Sequence, residues 1–119
     1  MASVAIIGAS NVRQKFGNRA LRAYLRQGWT VFAVNPSEPV VEGQPAYRSV
    51  LDIPGKLDRA ALYVPPNVGI KLLGELAQKG VGELFVNPGT ESPELLAEAE
   101  RLGLNVIEAC AIIDIGEAP

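Results

Sequence analysis

Three small residues, Gly8, Ala9 and Ser10, end the first apolar run of this sequence, and two basic residues, Arg13 and Lys15, follow closely. Glycine lets a backbone turn sharply and approach a ligand. Backbone amides at such a turn, and at the N-terminus of the helix after it, bind anions through hydrogen bonds and the helix dipole. Ser10 adds a hydroxyl, Arg13 a forked guanidinium and Lys15 a point charge. The spacing predicts a phosphate-binding elbow; a plain strand–loop–helix connection is the alternative.

Histidine is absent and cysteine occurs once, at Cys110. Ser-His-Asp and Cys-His arrangements are therefore excluded, and a lone cysteine without histidine supports no zinc site. The carboxylates of Glu91 and Glu108 lie near predicted strand ends, and we interpret them as solvated. We predict no catalytic residue and no metal site, and the sequence leaves open whether the protein is an enzyme. Cys110 is either a buried structural thiol or a partner for a mixed disulfide with a thiol ligand.

Charge is distributed unevenly along the chain, whose formal net charge is −2. Residues 1–37 carry five basic side chains and no acid, whereas residues 83–119 carry eight acids and a single basic residue, Arg101. The sequence pI of about 5.1 argues against a nucleic-acid partner, because such proteins usually present a broad basic surface. The basic cluster near Arg13 suits a small anionic ligand better.

The length of 119 residues and an apolar content of 48% predict one folded domain, residues 1–119. No apolar run approaches the roughly 20 residues needed to cross a bilayer. The first residues lack the basic segment of a signal peptide. We therefore expect a cytoplasmic protein without membrane contact, in which the single thiol stays reduced.

Short apolar runs alternate with amphipathic segments along the chain. Five runs predict strands, at residues 3–8, 30–34, 58–64, 83–86 and 104–107. The segments between them predict helices at residues 18–27, at residues 67–79, and from Ser92-Pro93, a cap and a first-turn proline, to Gly103. Residues 37–56 hold several prolines and glycines and predict an irregular crossover with one short strand or turn.

This alternation predicts a doubly wound, Rossmann-like α/β domain with helices on both faces of a parallel sheet. Right-handed crossovers with one reversal give five strands the order 3-2-1-4-5, with the reversal between the first and fourth strands. Open parallel sheets bind ligands at the carboxyl ends of their strands beside such a reversal. The site should therefore lie where these strands end.

The strand ends carry small, polar or turn-forming residues. In chain order they are Gly8-Ala9-Ser10, Asn35-Pro36-Ser37, Pro65-Pro66-Asn67, Asn87-Pro88-Gly89 and Glu108-Ala109-Cys110. Ser10 stands where the dinucleotide fingerprint G-x-G-x-x-G has its second glycine, and Gly17 follows later. Asn35 stands where that fingerprint expects an acid for a ribose diol, and the first acid is Glu38. Both departures count against ordinary NAD binding.

Four of these strand ends together resemble a known family. The motifs are G-A-S at residues 8–10, V-N-P at residues 34–36, Y-V-P-P at residues 63–66 and N-P-G at residues 87–89. In this order they resemble the small CoA-binding proteins, Rossmann-like domains similar to the CoA-binding domain of the succinyl-CoA synthetase α subunit. Cys110, near the end of the fifth strand, also fits that family. The resemblance covers residues 3–112.

The resemblance implies a role for each strand end in binding coenzyme A. Gly8, Ala9 and Ser10 would hold the pyrophosphate, assisted by Arg13 or Lys15. The nucleotide pocket would be lined on one side by Val34, Asn35 and Pro36 and on the other by Val64, Pro65 and Pro66. The pantetheine arm would run past Asn87, Pro88 and Gly89. The synthetase relatives carry a lysine after the second strand's proline, whereas this sequence has Ser37 and Glu38 there.

The sequence thus favours a protein that binds CoA or an acyl-CoA without catalysis, as a carrier, sensor or partner of CoA metabolism. One alternative is an NAD(P)(H)-dependent redox enzyme or sensor, because the basic residues and the missing acid suit a 2′-phosphate. Another is a protein-interaction module with an empty pocket, whose basic and acidic thirds support self-association.

Overall fold

The computed structural model describes residues 2–119, which form a seven-stranded, mostly parallel sheet between two layers of helices. The strands are β1 (Ser3–Ile7), β2 (Thr30–Val34), β3 (Val40–Val41), β4 (Gln44–Tyr47), β5 (Arg59–Leu62), β6 (Glu83–Val86) and β7 (Val106–Ile107). The helices are α1 (Phe16–Arg26), α2 (Pro66–Lys79), α3 (Pro93–Arg101) and α4 (Ala111–Asp114), with a 3-10 turn at Val50–Asp52.

The strand order corrects the predicted five-stranded sheet. It is β3-β4-β2-β1-β5-β6-β7, and only β3 runs antiparallel to its neighbour. The prediction 3-2-1-4-5 placed the strand near residue 60 outside β2, but β5 pairs with β1, Val4 opposite Arg59. The outer position is filled by β4, which the sequence pattern left inside the crossover. The reversal of strand order therefore lies between β1 and β5, not between β1 and the strand at Glu83–Val86.

A hairpin accounts for the two additional strands. Glu42 and Gly43 connect β3 to β4, with φ angles of 49° and 76°, as the two central residues of a tight type I′ hairpin turn require. Pro45 lies within β4, and proline usually marks an edge or a break rather than a strand interior. Because of that proline and the two-residue length of β3, the sequence pattern did not predict the hairpin.

Helices cover both faces of the sheet, as the sequence predicts. Along β1, Val4 and Ile6 face the layer of α1 and α4, whereas Ala5 and Ile7 face the layer of α2 and α3. All four side chains are buried, because a central parallel strand is covered on both sides. This double burial fixes β1, and with it the loop that leaves its carboxyl end.

The predicted helix start at Ser92 is present as expected. The Ser92 hydroxyl accepts a hydrogen bond from the Leu95 amide at 3.0 Å, and Pro93 is the first residue of α3. Helix α2 likewise begins at a proline, Pro66, directly after β5. Both helices therefore start at the carboxyl edge of the sheet, and they place two Pro-containing loops beside the predicted site.

Candidate ligand-binding site

A cleft of about 900 Å³ lies along the carboxyl edge of the sheet. Twelve of the fourteen residues predicted to bind a cofactor line it: Gly8, Ala9, Ser10, Lys15, Asn35, Pro36, Val64, Pro65, Pro66, Asn87, Pro88 and Gly89. The remaining two, Arg13 and Val34, do not. The tertiary structure therefore brings the ends of β1, β2, β5 and β6 together around one space.

Two asparagines hold the strand ends in place around this cleft. The side-chain amide of Asn35 donates to the Ala9 carbonyl at 2.8 Å, and the side-chain amide of Asn87 donates to the Leu62 carbonyl at 2.8 Å. Each Asn-Pro motif thus ties the end of its own strand to the end of another. The side-chain oxygen Oδ1 of Asn35 accepts from the Ser37 backbone amide at 2.8 Å, and Oδ1 of Asn87 accepts from the Ala111 backbone amide at 2.8 Å. Both side chains shape the cleft.

The elbow after β1 is compact because two glycines pack against backbone. Gly8 has φ 93°, and a Cβ there would lie 2.5 Å from the Tyr63 carbonyl oxygen. A Cβ on Gly17, in the first turn of α1, would overlap the Gly8 carbonyl oxygen. Helix α1 therefore begins in direct contact with the end of β1, which requires glycine on both sides.

The amides of Gly8 and Ala9 are not available to an anion. Both donate to the Val34 carbonyl, at 3.0 and 3.2 Å, so Val34 contributes its backbone to the elbow rather than its side chain to the pocket. The prediction that the Gly8 turn presents its own amides to a ligand is wrong in this respect, because neighbouring parallel strands use them first.

The unpaired donors at the elbow lie further along the chain. Within residues 2–119, the amides of Phe16 and Gly17 have no hydrogen-bond partner, since the first turn of α1 lacks acceptors and the cap residue, Lys15, makes no side-chain capping bond. The Ser10 hydroxyl accepts from the Val12 amide at 3.0 Å, which leaves its proton free to donate. Ser10, Lys15, Phe16 and Gly17 all line the cleft, and free donors at a helix N-terminus are the kind of group that binds anions in proteins.

The two predicted basic residues have different surroundings. Arg13 donates to the Glu42 carboxylate at 3.0 Å, and that carboxylate also accepts from Asn18 at 2.9 Å. Arg13 is thereby directed toward the β3–β4 turn, outside the cleft. Lys15 lines the cleft and forms no ion pair within the described chain. It is the charge that an anion at the elbow would meet.

The opposite end of the cleft is formed by residues that the sequence reading assigned no role or left open. They are Tyr63, Thr90, Cys110, Ile112, Ile113 and Pro119, joined near the elbow by Phe16, Gly17 and Ser37. Phe16 and Ile113 are exposed apolar side chains, and helix α4 carries Ile112 and Ile113. An apolar segment close to the last strand end was the only sequence signal for these cleft residues. Their position beside the Asn-Pro strand end depends on how α4 packs against the sheet.

Cys110 lines the cleft as a half-buried free thiol. Of the two readings left open, a fully enclosed structural thiol does not fit this position. The nearby Tyr63 hydroxyl is buried and has no hydrogen-bond partner within residues 2–119. Burial raises the pKa of the Tyr63 phenol, and the neutral hydroxyl keeps an unused donor and acceptor.

Two further features bear on the class of protein. In the described part of the chain, no cluster of three or more acidic or cysteine side chains is placed to hold a metal ion. None of the helices between residues 2 and 119 has the length and apolarity of a membrane span.

An α/β sheet whose strand reversal opens onto a cleft at its carboxyl edge has the architecture of the Rossmann-like class. Residues 2–116 match the protein family described as the CoA binding domain. This chain belongs to that family. The match confirms the resemblance found in the sequence and the prediction of coenzyme A as its cofactor.

Individual relatives agree with this assignment. The ADP-forming acetate–CoA ligase II subunit alpha of Pyrococcus furiosus is 36% identical over 117 residues, which cover 87% of this chain and 25% of that protein. A solved conserved hypothetical protein from Pyrococcus furiosus superposes with a TM-score of 0.88 at 32% identity, covering 96% of this chain and 99% of the other. The dinucleotide-forming acetyl-coenzyme A synthetase 1 of Ca. Korarchaeum cryptofilum, at 26% identity, superposes with a TM-score of 0.78, covering 91% and 25%. The chain thus spans only part of the length of these ligases, 25% and 17% for two of them.

Proposed function

We propose that this protein binds CoA or an acyl-CoA along the carboxyl edge of its sheet and acts as a non-catalytic carrier, sensor or partner of CoA metabolism. The observation that carries the proposal is the elbow of Ser10, Lys15, Phe16 and Gly17, whose free donors open into the large cleft. We further propose that residues 1–119 act as one binding domain in the cytoplasm.

The diphosphate of the ligand belongs at this elbow. Two free amides at the start of α1 form the positive end of the helix dipole, the Ser10 hydroxyl adds a donor, and Lys15 supplies a full charge. Helix α1 has no acid in its first turn, so nothing there opposes a negative ligand. Among the residues of 2–119 that line the cleft, Lys15 has the only charged side chain.

The rest of the ligand extends sideways along the strand ends. Neighbouring strands are about 4.8 Å apart, so the ends of β6 and β7 lie two and three strand spacings from β1 in the observed order. The wall there is largely apolar, with Pro65, Pro66, Pro88 and Ile113. An extended, mostly uncharged pantetheine arm fits this direction, and it brings the thiol end toward Cys110. The nucleotide lies on the other side, between Asn35-Pro36 and Val64.

The composition of the cleft favours binding over catalysis. Within the described chain its lining contains no carboxylate side chain that could accept a proton from a substrate. The NAD(P)(H) alternative has less support, because the Asn35 carbonyl oxygen already accepts from Ser37 and Glu38 and is not available for a ribose diol. No observation favours the empty interaction module over an open cleft of about 900 Å³.

Calorimetry with CoA, dephospho-CoA and NADPH tests the proposed function directly. We expect CoA and dephospho-CoA to bind and NADPH to bind more weakly than CoA. Absence of binding by both CoA and dephospho-CoA at millimolar concentration would refute the proposal, and tighter binding of NADPH would favour the redox alternative.

The Lys15→Gln variant should bind CoA about tenfold more weakly, since a charge-assisted hydrogen bond contributes about 1.5–3 kcal/mol. Ser10→Ala should lower the affinity by a smaller factor. Arg13→Gln should lower it least of the three, because Glu42 already pairs with Arg13. Titration calorimetry measures these affinities. Lys56→Gln, an equal change of charge before β5 at the opposite edge of the sheet, is the matched control, and an equal loss in that variant would contradict the assignment.

Bound CoA should protect Cys110 from alkylation. The thiol lines the end of the cleft where we place the pantetheine arm, so an occupied site blocks access of iodoacetamide. Mass spectrometry of the alkylated protein, with and without saturating CoA, gives the rate. We expect at least a fivefold slower reaction with CoA, whereas an unchanged rate in protein shown by calorimetry to be saturated would mean that the ligand runs in another direction.

A further inference from the structure

A second cavity adjoins the nucleotide end of the cleft and has no role in the binding described so far. It has a volume of about 340 Å³ and is lined by Pro36, Ser37, Glu38, Pro39, Ala46 and Arg48. We propose that this cavity receives the phosphate monoester on the ribose of CoA, and that Arg48 is the residue that distinguishes CoA from dephospho-CoA. The inference rests on the proposed function and adds a specificity-determining residue to it.

The two cavities are adjacent at the end of β2. Pro36 and Ser37 line both of them, so a ligand that follows the wall of the main cleft past Asn35 comes next to the second cavity. The loop that separates them is held by the Asn35 side chain, which accepts from the amides of Ser37 and Glu38 at 2.8 and 2.9 Å. The Asn35 side chain therefore fixes the segment that borders both cavities.

Arg48 is available to a ligand in a way that the other arginines are not. It follows the last residue of β4, is exposed, and makes no hydrogen bond or ion pair within residues 2–119. Five of the other six arginines have a hydrogen-bond or ion-pair partner: Arg13 with Glu42, Arg22 with Asn18, Arg26 with Glu117, Arg59 with Glu83 and Asp114, and Arg101 with Glu98. Arg19 lies over the Phe16 ring instead. An unpaired guanidinium beside a cavity suits a phosphate, which it can bind through two parallel hydrogen bonds.

The position of Arg48 in the sheet matches the chemistry of the ligand. With β2 between β4 and β1, the end of β4 lies two strand spacings, about 10 Å, from the elbow. In CoA the diphosphate and the phosphate monoester are attached to the same ribose, so the second group must lie close to the first. Arg48 lines the second cavity, and a long side chain at that position can cover part of this distance. The monoester of CoA thus meets Arg48 when the diphosphate lies at Lys15.

Glu38 limits the affinity of this cavity for phosphate. Its carboxylate borders the same space but forms no ion pair with Arg48. A nearby negative charge repels a phosphate, so removing it should increase the preference for CoA. Replacing Arg48 and replacing Glu38 should therefore change the preference for CoA over dephospho-CoA in opposite directions.

Calorimetry with CoA and dephospho-CoA on matched variants tests the inference. We expect the unaltered protein to bind CoA about tenfold more tightly than dephospho-CoA. Arg48→Gln should abolish this ratio and leave the dephospho-CoA affinity unchanged, Glu38→Gln should increase the ratio, and the control Lys56→Gln should preserve it. Circular dichroism verifies that each variant is folded.

The outcomes separate this inference from the proposed function. If dephospho-CoA binds normally but Arg48→Gln keeps the preference for CoA, or if the unaltered protein shows no preference, the assignment of Arg48 is wrong and the elbow remains supported. If Arg48→Gln weakens both ligands equally, Arg48 acts on the diphosphate instead and the inference is also wrong. If neither ligand binds the unaltered protein, both proposals fail.

Discussion

Replacing Gly17 by alanine should both destabilise the protein and weaken CoA binding. The new methyl group would overlap the Gly8 carbonyl oxygen, and since that oxygen is backbone, helix α1 has to move away from the end of β1. Overpacking of this kind costs about 3 kcal/mol of unfolding free energy. The shift also displaces the free amides of Phe16 and Gly17 from the elbow. Urea unfolding measures the first effect and calorimetry with CoA the second.

Gly74→Ala is the matched control for this prediction. Gly74 lies in helix α2, and a Cβ there meets nothing within 4 Å. Alanine at an unobstructed helical position should stabilise the protein by up to about 1 kcal/mol and leave CoA affinity unchanged. The two substitutions are chemically identical, so stability changes of opposite sign would isolate the effect of the contact between α1 and β1. A Gly17→Ala protein as stable as the unaltered one would show that the contact is not as close as described.

Replacing Arg59 by alanine should have the second largest effect, because this buried side chain connects three parts of the fold. Its guanidinium lies between the rings of Phe85 and Trp29, at 4.2 and 4.9 Å from their centroids. It also forms ion pairs with Glu83 and Asp114 at 2.9 and 2.8 Å. The side chains of Glu83 and Asp114 are 37% and 43% exposed, so water can solvate them after the substitution. We therefore expect a loss of about 3 kcal/mol, at the lower end for breaking a buried pair.

The consequences of Arg59→Ala should extend to the cleft. Asp114 is the last residue of helix α4, whose Ile112 and Ile113 form the far wall of the cleft. Without Arg59, α4 loses the ion pair of Asp114 and is held by its hydrogen bonds to Asn87 and Tyr24 and by the burial of Ile112. Urea unfolding and the alkylation rate of Cys110 report on stability and on α4 respectively, and both should change together.

Arg101→Ala provides the comparison for an ion pair at the surface. Arg101 pairs with Glu98 across one turn of α3 and is 68% exposed. Such pairs contribute less than about 1 kcal/mol, so this variant should unfold nearly as the unaltered protein does. A similar stability loss in both arginine variants would mean that burial and the aromatic contacts of Arg59 contribute little.

Local patterns in the sequence were sufficient to predict the strands and loops that form the site. Alternating apolar runs located β1, β2, β5 and β6 to within a few residues, because a strand buried on both faces must be apolar at consecutive positions. Glycine, proline and asparagine at their ends predicted where the cleft would open. The Asn-Pro motifs at Asn35 and Asn87 were identified as part of the site, although their contact partners were not.

Several features of the site were decided only by the tertiary structure. The hairpin of β3 and β4 took the outer place beside β2, and its turn brought Glu42 to Arg13, 29 positions away in the chain. That pairing removed Arg13 from the cleft and left Lys15 as the charged residue at the elbow. Likewise, the Val34 carbonyl captured the amides of Gly8 and Ala9, so that the free donors moved to the start of α1.

What the sequence by itself determined is the set of elements and the loops between them, since burial pattern and turn chemistry are properties of consecutive residues. What only the tertiary structure decided is the order of the strands, the pairing of charges and which amides stay free. Those depend on contacts between segments far apart in the chain, where each donor binds the acceptor that the assembled sheet places beside it. The hydrogen-bonding capacity left unused after folding, at Lys15, Phe16 and Gly17, is what the protein can offer to a ligand.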